Sequence, residues 1–141
     1  MRNVLNRRAL IKSGAAAIAA PALLNANSAS AQAKVIKIGH VSPRTGPLAG
    51  FGEADTFILD QVRGILGKGL QSGGKTYKVE IVSKDSQSSG SRAAEVASEL
   101  IQRDKVDLLV TSGTPDTTNP VSDQAEVNET PCVATNCPWQ P

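Results

Sequence analysis

At 141 residues the chain has the length of one small domain. Apolar residues make up 40% and aromatics only 3%, so any core must be built from aliphatic side chains and alanine. The formal charge of +2 is unevenly spread: Arg2, Arg7, Arg8 and Lys12 crowd the start, no acid precedes Glu53, and from Lys34 onward acids outnumber bases by two. No basic patch with interleaved aromatics occurs, which argues against a nucleic-acid partner.

Residues 1–33, MRNVLNRRALIKSGAAAIAAPALLNANSASAQA, have the three parts of an export signal. A basic segment ends at Lys12, an apolar segment runs from Ala15 to Leu24, and small residues follow up to Ala33. The apolar part is about ten residues and contains Pro21, too short to span a bilayer. Asn6-Arg7-Arg8-Ala9-Leu10-Ile11-Lys12 fits the twin-arginine pattern, and Ala31-Gln32-Ala33 offers a small-x-small cleavage site. The expected product is soluble, exported to the periplasm by the twin-arginine machinery.

The rest of the chain alternates strand and helix. Val35, Ile36 and Ile38 read as a buried strand, and Ser42-Pro43-Arg44-Thr45-Gly46-Pro47 breaks it. Phe51, Ala54, Ile58, Val62 and Ile65 then step at helical spacing, with Phe57 and Leu66 widening the apolar stripe. Gly64 to Gly74 reads as a glycine-rich exit, capped at Gly67 or Gly69. Tyr77 to Val82 alternates as a second strand and ends in the polar loop Ser83 to Gly90. A second helix carries Ala93, Val96, Ala97, Leu100 and Ile101 inward, with Ser91 as its N-cap. Val106 to Val110 is a third strand, followed by the hydroxyl-rich loop Thr111 to Thr118. Asn119-Pro120 is expected to open a third helix, and Cys132 to Thr135 to form a fourth strand.

The order βαβαβαβ argues for an α/β fold with a doubly wound parallel sheet. Right-handed crossovers put the first and third strands side by side, with helices leaving to opposite faces. A ligand crevice is then expected among the loops 42–51, 111–118 and 135–139, at the strands' carboxyl ends.

Three signals mislead. Gly69-Leu70-Gln71-Ser72-Gly73-Gly74-Lys75-Thr76 matches the phosphate-binding P-loop letter for letter. It follows a helix and opens a strand, the reverse of what a phosphate cradle needs. His40, the single histidine, has no nucleophile motif such as G-x-S-x-G to serve, so a packed or surface role is expected. Cys132 and Cys137 stand about 16 Å apart along an extended strand, so free thiols are expected. Two cysteines cannot close a zinc site, and no cofactor is implied.

VIKIGHVSPRTGPLAGFGEAD, VEIVSKDSQSSGSRAAEVASELIQRDKVDLLV and TSGTPDTTNPVSDQAEVNETPCVATNCPWQP together resemble the amino-terminal lobe of periplasmic substrate-binding proteins of branched-chain amino-acid ABC transporters. The most specific parts are the T-G-P-x-A-x-x-G loop from Thr45 to Gly52, the strand-ending Asp85, and L-I-x-x-D-K-V-D from Leu100 to Asp107. The resemblance implies a type I periplasmic-binding fold, of which residues 34–141 are an incomplete first lobe with the second lobe absent. It implies a receptor, not an enzyme, that binds an amino acid or related small carboxylate and hands it to an ABC permease in the membrane. Its site would comprise Thr45 and Gly46 at the mouth and Phe51 packing on the ligand. Ser112, Thr114 or Thr117 would supply donors in one loop, and Thr135 to Trp139 in the next. A periplasmic sensory module and an exported α/β enzyme are the alternatives. This sequence lacks cysteines where better-known members carry a first-lobe disulfide.

Overall fold

The computed structural model describes residues 35–135. The expected export signal with Arg7 and Arg8, and the tail with Cys137 and Trp139, lie outside the described residues. The described residues lie within one compact unit, residues 33–141.

That unit runs β1 (Ile36–Ser42), α1 (Asp55–Leu66), β2 (Leu70–Ser72), β3 (Lys75–Tyr77), β4 (Val79–Asp85), α2 (Gly90–Gln102), β5 (Leu108–Ser112), α3 (Pro115–Val127) and β6 (Cys132–Thr135). A 3-10 turn at Ala49–Phe51 precedes α1. The main sheet is parallel in the order β4-β1-β5-β6. Ile36 stands opposite Val79 and Ser42 opposite Asp85, so β1 and β4 end level. The first and third expected strands are neighbours, as the crossover rule requires.

Alternation along each strand divides the side chains between two faces. Val41 and Leu109 point to one face, where they meet Val96 and Leu100 of α2 and Val121 of α3 in the buried core. Gly39 makes this approach possible: a Cβ there would stand 2.7 Å from Leu109 Cδ2 and 3.2 Å from Leu100 Cδ1. Lys84 also points to this face, where it binds Glu99 Oε2 at 2.7 Å and Asp104 Oδ2 at 3.1 Å, tying β4 to the end of α2. Ile38, His40, Ile81 and Val110 point to the opposite face, toward α1.

The structure corrects four local expectations. The stripe on the first helix is not a core face: α1 has no buried residue, and Phe57, Ile58 and Ile65 are 70%, 51% and 75% exposed. Among the described residues α1 is the only helix on its side of the sheet, so these side chains meet no second helix. The run from Gly69 to Thr76 is an antiparallel hairpin, β2 with β3, turning through Gly73 (φ 55°) and Gly74 (φ 72°). Two consecutive left-handed residues are what a two-residue hairpin turn needs, and glycine supplies them without steric cost. No helix follows it, so the P-loop letters carry no phosphate cradle.

The second helix is capped by Ser89 rather than Ser91, its hydroxyl accepting from the Arg92 N–H. The third begins at Pro115 after Thr114, five residues before the expected start, and Pro120 lies inside it. A proline in that position donates no hydrogen bond to the carbonyl of Asp116. That carbonyl faces the start of α2, where a Cβ on Gly90 would stand 2.6 Å from it. The start at Pro115 has local signals of its own, Thr114 at the N-cap, proline at the first helical position and Asp116 in the first turn. No helix among the described residues is long and apolar enough to cross a membrane.

Candidate functional site

The carboxyl edge of the parallel sheet gathers hydroxyls. Ser42 ends β1, Ser86 follows β4, and Ser112 ends β5, with Thr114 two residues on. Ser42 and Ser86 are 1% exposed and Ser112 5%. The hydroxyl oxygens of all four have no hydrogen-bond partner among the described residues. A buried hydroxyl without a partner is costly, so these groups call for water or for a ligand's polar atoms. Gly113 between Ser112 and Thr114 has φ 141°, and a Cβ there would stand 2.6 Å from Thr117 Oγ1. Only glycine lets the chain turn from β5 into α3 so tightly.

The loop from Pro43 to Gly52 is bound to the end of β4. Asp85 Oδ1 accepts from the N–H groups of Arg44 (2.9 Å), Thr45 (3.3 Å) and Gln87 (2.8 Å). Asp85 Oδ2 accepts from the Thr45 hydroxyl at 2.7 Å. Burial acts to raise the Asp85 carboxyl, but the hydrogen bonds from Thr45, Gln87 and Arg44 outweigh it and hold the group below its ordinary value.

Beneath this edge, between α1 and the sheet, lies a half-open cavity of about 330 Å³. Its walls are aliphatic (Ile38, Ile58, Leu59, Val62, Ile81, Val110), and its polar rim is His40, Asp55, Ser112 and Thr135. His40 Nδ1 meets Ser83 Oγ at 3.1 Å. Burial, the largest influence, pushes the imidazole below its ordinary value; the Asp55 carboxylate opposes this, and Arg44 and Arg63 add to it.

The residues expected to hold a ligand are placed as follows. Thr45 is exposed with its hydroxyl proton given to Asp85, and Gly46 sits beside it at φ 86°. Phe51 ends the 3-10 turn and is 46% exposed. Thr117 is buried and donates to the Thr114 carbonyl at 3.1 Å, bracing the first turn of α3. Thr135 is exposed and donates to the Thr111 carbonyl at 3.3 Å. Ser112 and Thr114 alone of these hydroxyls are unengaged. Ser42 and Ser86 escaped the sequence reading, which singled out the strand-ending Asp85 but not its clamping of the loop; a serine closing an apolar strand was the available signal. Cys132 is a free cysteine, its thiol pushed up by burial. Among the described residues no group of three or more His, Cys, Asp or Glu could hold a metal ion.

Residues 35–140 match the family model described as periplasmic binding protein. Among solved structures, the chain is similar to LivJ, a branched-chain amino acid transporter substrate-binding protein from Streptococcus pneumoniae, solved in complex with isoleucine. The identity is 26% and the TM-score 0.64, over 76% of this chain and 30% of that one. An ABC transporter substrate-binding protein from Sphaerobacter thermophilus is 27% identical with a TM-score of 0.62, over 75% of this chain and 28% of its own. LivK, a leucine-binding protein from Thermotoga maritima, is 25% identical with a TM-score of 0.64, over 74% and 29%. The chain therefore spans less than a third of the length of each of these structures. No curated protein sequence matches it. With the parallel sheet, the helices on both faces and a family match over most of its length, the chain belongs to the periplasmic binding protein family, in its type I fold.

Proposed function

We propose that the chain is the amino-terminal ligand-binding part of an extracytoplasmic solute receptor. The receptor captures a small carboxylate-bearing molecule, an amino acid or a relative of one, and delivers it to an ABC importer. Residues 1–33 direct it to the periplasm through the twin-arginine route, with Arg7 and Arg8 as the recognised pair. The observation that carries the reading is the pair of unengaged hydroxyls, Ser112 Oγ and Thr114 Oγ1, at the start of α3. A helix N-terminus favours an anion, and neutral hydroxyls bind a carboxylate without burying a lone cation. Thr45, Thr117 and Thr135 have already committed their protons, so Ser112 and Thr114 are the direct donors. Gly46 gives the mouth its close approach, and the half-exposed Phe51 offers an apolar face to the ligand's side chain.

Titration calorimetry of the full chain with L-leucine, L-isoleucine, L-glutamate and benzoate tests this. One of these is expected to bind, and Ser112→Ala or Thr114→Val each to weaken it by roughly tenfold to a hundredfold, the worth of a hydrogen bond to a charged group. Absence of binding by the whole panel at millimolar concentration sinks the reading.

A further inference from the structure

Two loops meet at the mouth, and their contact is more elaborate than a turn requires. Beyond the four hydrogen bonds that Asp85 accepts, Ser88 Oγ donates to the Thr45 carbonyl at 2.6 Å and accepts from the Leu48 N–H at 3.0 Å. Gly46 packs against the same side chain: a Cβ on it would stand 2.7 Å from Ser88 Oγ and 2.9 Å from Ser88 Cβ. To put the hydroxyl there, the chain holds Gln87 at φ 54° and Ser88 at φ 58°, consecutive left-handed residues that are not glycine. Such a conformation is costly for a residue with a side chain and persists only where its surroundings enforce it. Lys105 and Glu129 are also held left-handed, each as a single residue after a helix, whereas Gln87 and Ser88 are consecutive.

We infer that Asp85 and Ser88 are positioning residues that fix the Thr45–Gly52 loop, and that Thr45 belongs with them rather than with the ligand's donors. The inference deepens the receptor reading and rests on it for the loop's purpose, but its geometry stands apart from any ligand. The carboxylate gathers the loop's first amides, and the serine hydroxyl holds its middle. Phe51, at the far end of the 3-10 turn, is thereby presented at a fixed height above the strand ends. The strained backbone at Gln87 and Ser88 is the means of aiming one hydroxyl across the gap.

Hydrogen exchange of individual amides in the full chain decides it. Ser88→Gly keeps the left-handed backbone and relieves its strain while deleting the hydroxyl. It should leave exchange within β1 and β5 unchanged and accelerate the Leu48 amide roughly tenfold. Asp85→Ala should accelerate Thr45 and Gln87 by at least as much, while the Arg44 amide keeps the Ser42 carbonyl as a second acceptor. Asp85→Asn keeps one acceptor oxygen and should restore most of the protection. If Ser88→Gly leaves Leu48 protected, the turn is only a turn and the inference falls. It falls equally if Asp85→Asn is no better than Asp85→Ala, since the acceptor would then be irrelevant. Calorimetry with L-isoleucine on the unaltered chain reports separately on the receptor reading, so a chain that binds nothing overturns that reading and not this one.

Discussion

His40 Nε2 stands 3.9 Å from Asp55 Oδ2, joining the middle of β1 to the first residue of α1 across the mouth of the cavity. No side chain of the helix is fully buried, so this contact, the Arg63 Nη2 donation to the Ile81 carbonyl at 3.3 Å and the aliphatic groups beneath hold α1 to the sheet. Burial nevertheless wins over the carboxylate, and the native imidazole is held below its ordinary value of 6.5.

Stability should therefore fall on acidification. In the unfolded chain His40 takes up its proton near 6.5, whereas the native imidazole resists until lower pH. Its contribution is complete above 6.5 and is lost as the pH drops below that value, ending once the native group also protonates. Thermal melts of the unaltered chain between pH 8 and 5, set against His40→Gln, check this. The variant's curve should be the flatter below 6.5.

Core truncations should separate the two faces of the sheet. Leu109 and Leu100 are fully buried, and either changed to alanine should cost about 2–5 kcal/mol by urea denaturation. Ile65→Ser on the exposed face of α1 should change stability by no more than about 0.5 kcal/mol, because it empties no packed space.

The contact between α2 and α3 makes its own demand. Gly90→Ala would set a methyl 2.6 Å from the Asp116 carbonyl, and backbone cannot yield as a side-chain tip can. A loss of about 1–3 kcal/mol is expected, although alanine is the better helix former. An unchanged melting temperature would mean the helices slide apart freely.

At the hairpin the reverse holds. Nothing lies within 4 Å of a Cβ on Gly73, and its φ of 55° suits asparagine. Gly73→Asn should raise stability by a few tenths of a kcal/mol, since Asn-Gly is the favoured pair for this turn and the unfolded chain loses freedom.

Much of the fold was legible because its signals are local. The aliphatic runs of β1, β4 and β5 and the spacing of Ala93, Val96, Ala97 and Leu100 each answer to a single period. The short turn chemistry between β2 and β3 was hidden inside a glycine-rich stretch that also read as a helix exit. The start of α3 was missed because two cap-and-proline signals, Thr114-Pro115 and Asn119-Pro120, stand five residues apart and the chain uses the earlier one. At the site, the hydroxyl-rich loop after β5 could be seen in the letters, but which hydroxyls are free could not.

The sequence by itself determined the class of fold, the order of its elements, the edge of the sheet where its loops collect and the family to which it belongs. These follow from periodicity, from the handedness of crossovers and from motifs read along the chain. Tertiary structure decided the rest. It committed Thr45 to Asp85, Thr117 to the Thr114 carbonyl and Thr135 to the Thr111 carbonyl, and it left Ser112 and Thr114 unengaged. A hydroxyl's partner depends on groups brought close by folding, as Thr45 and Asp85 are across forty residues of chain, and no local pattern encodes that distance.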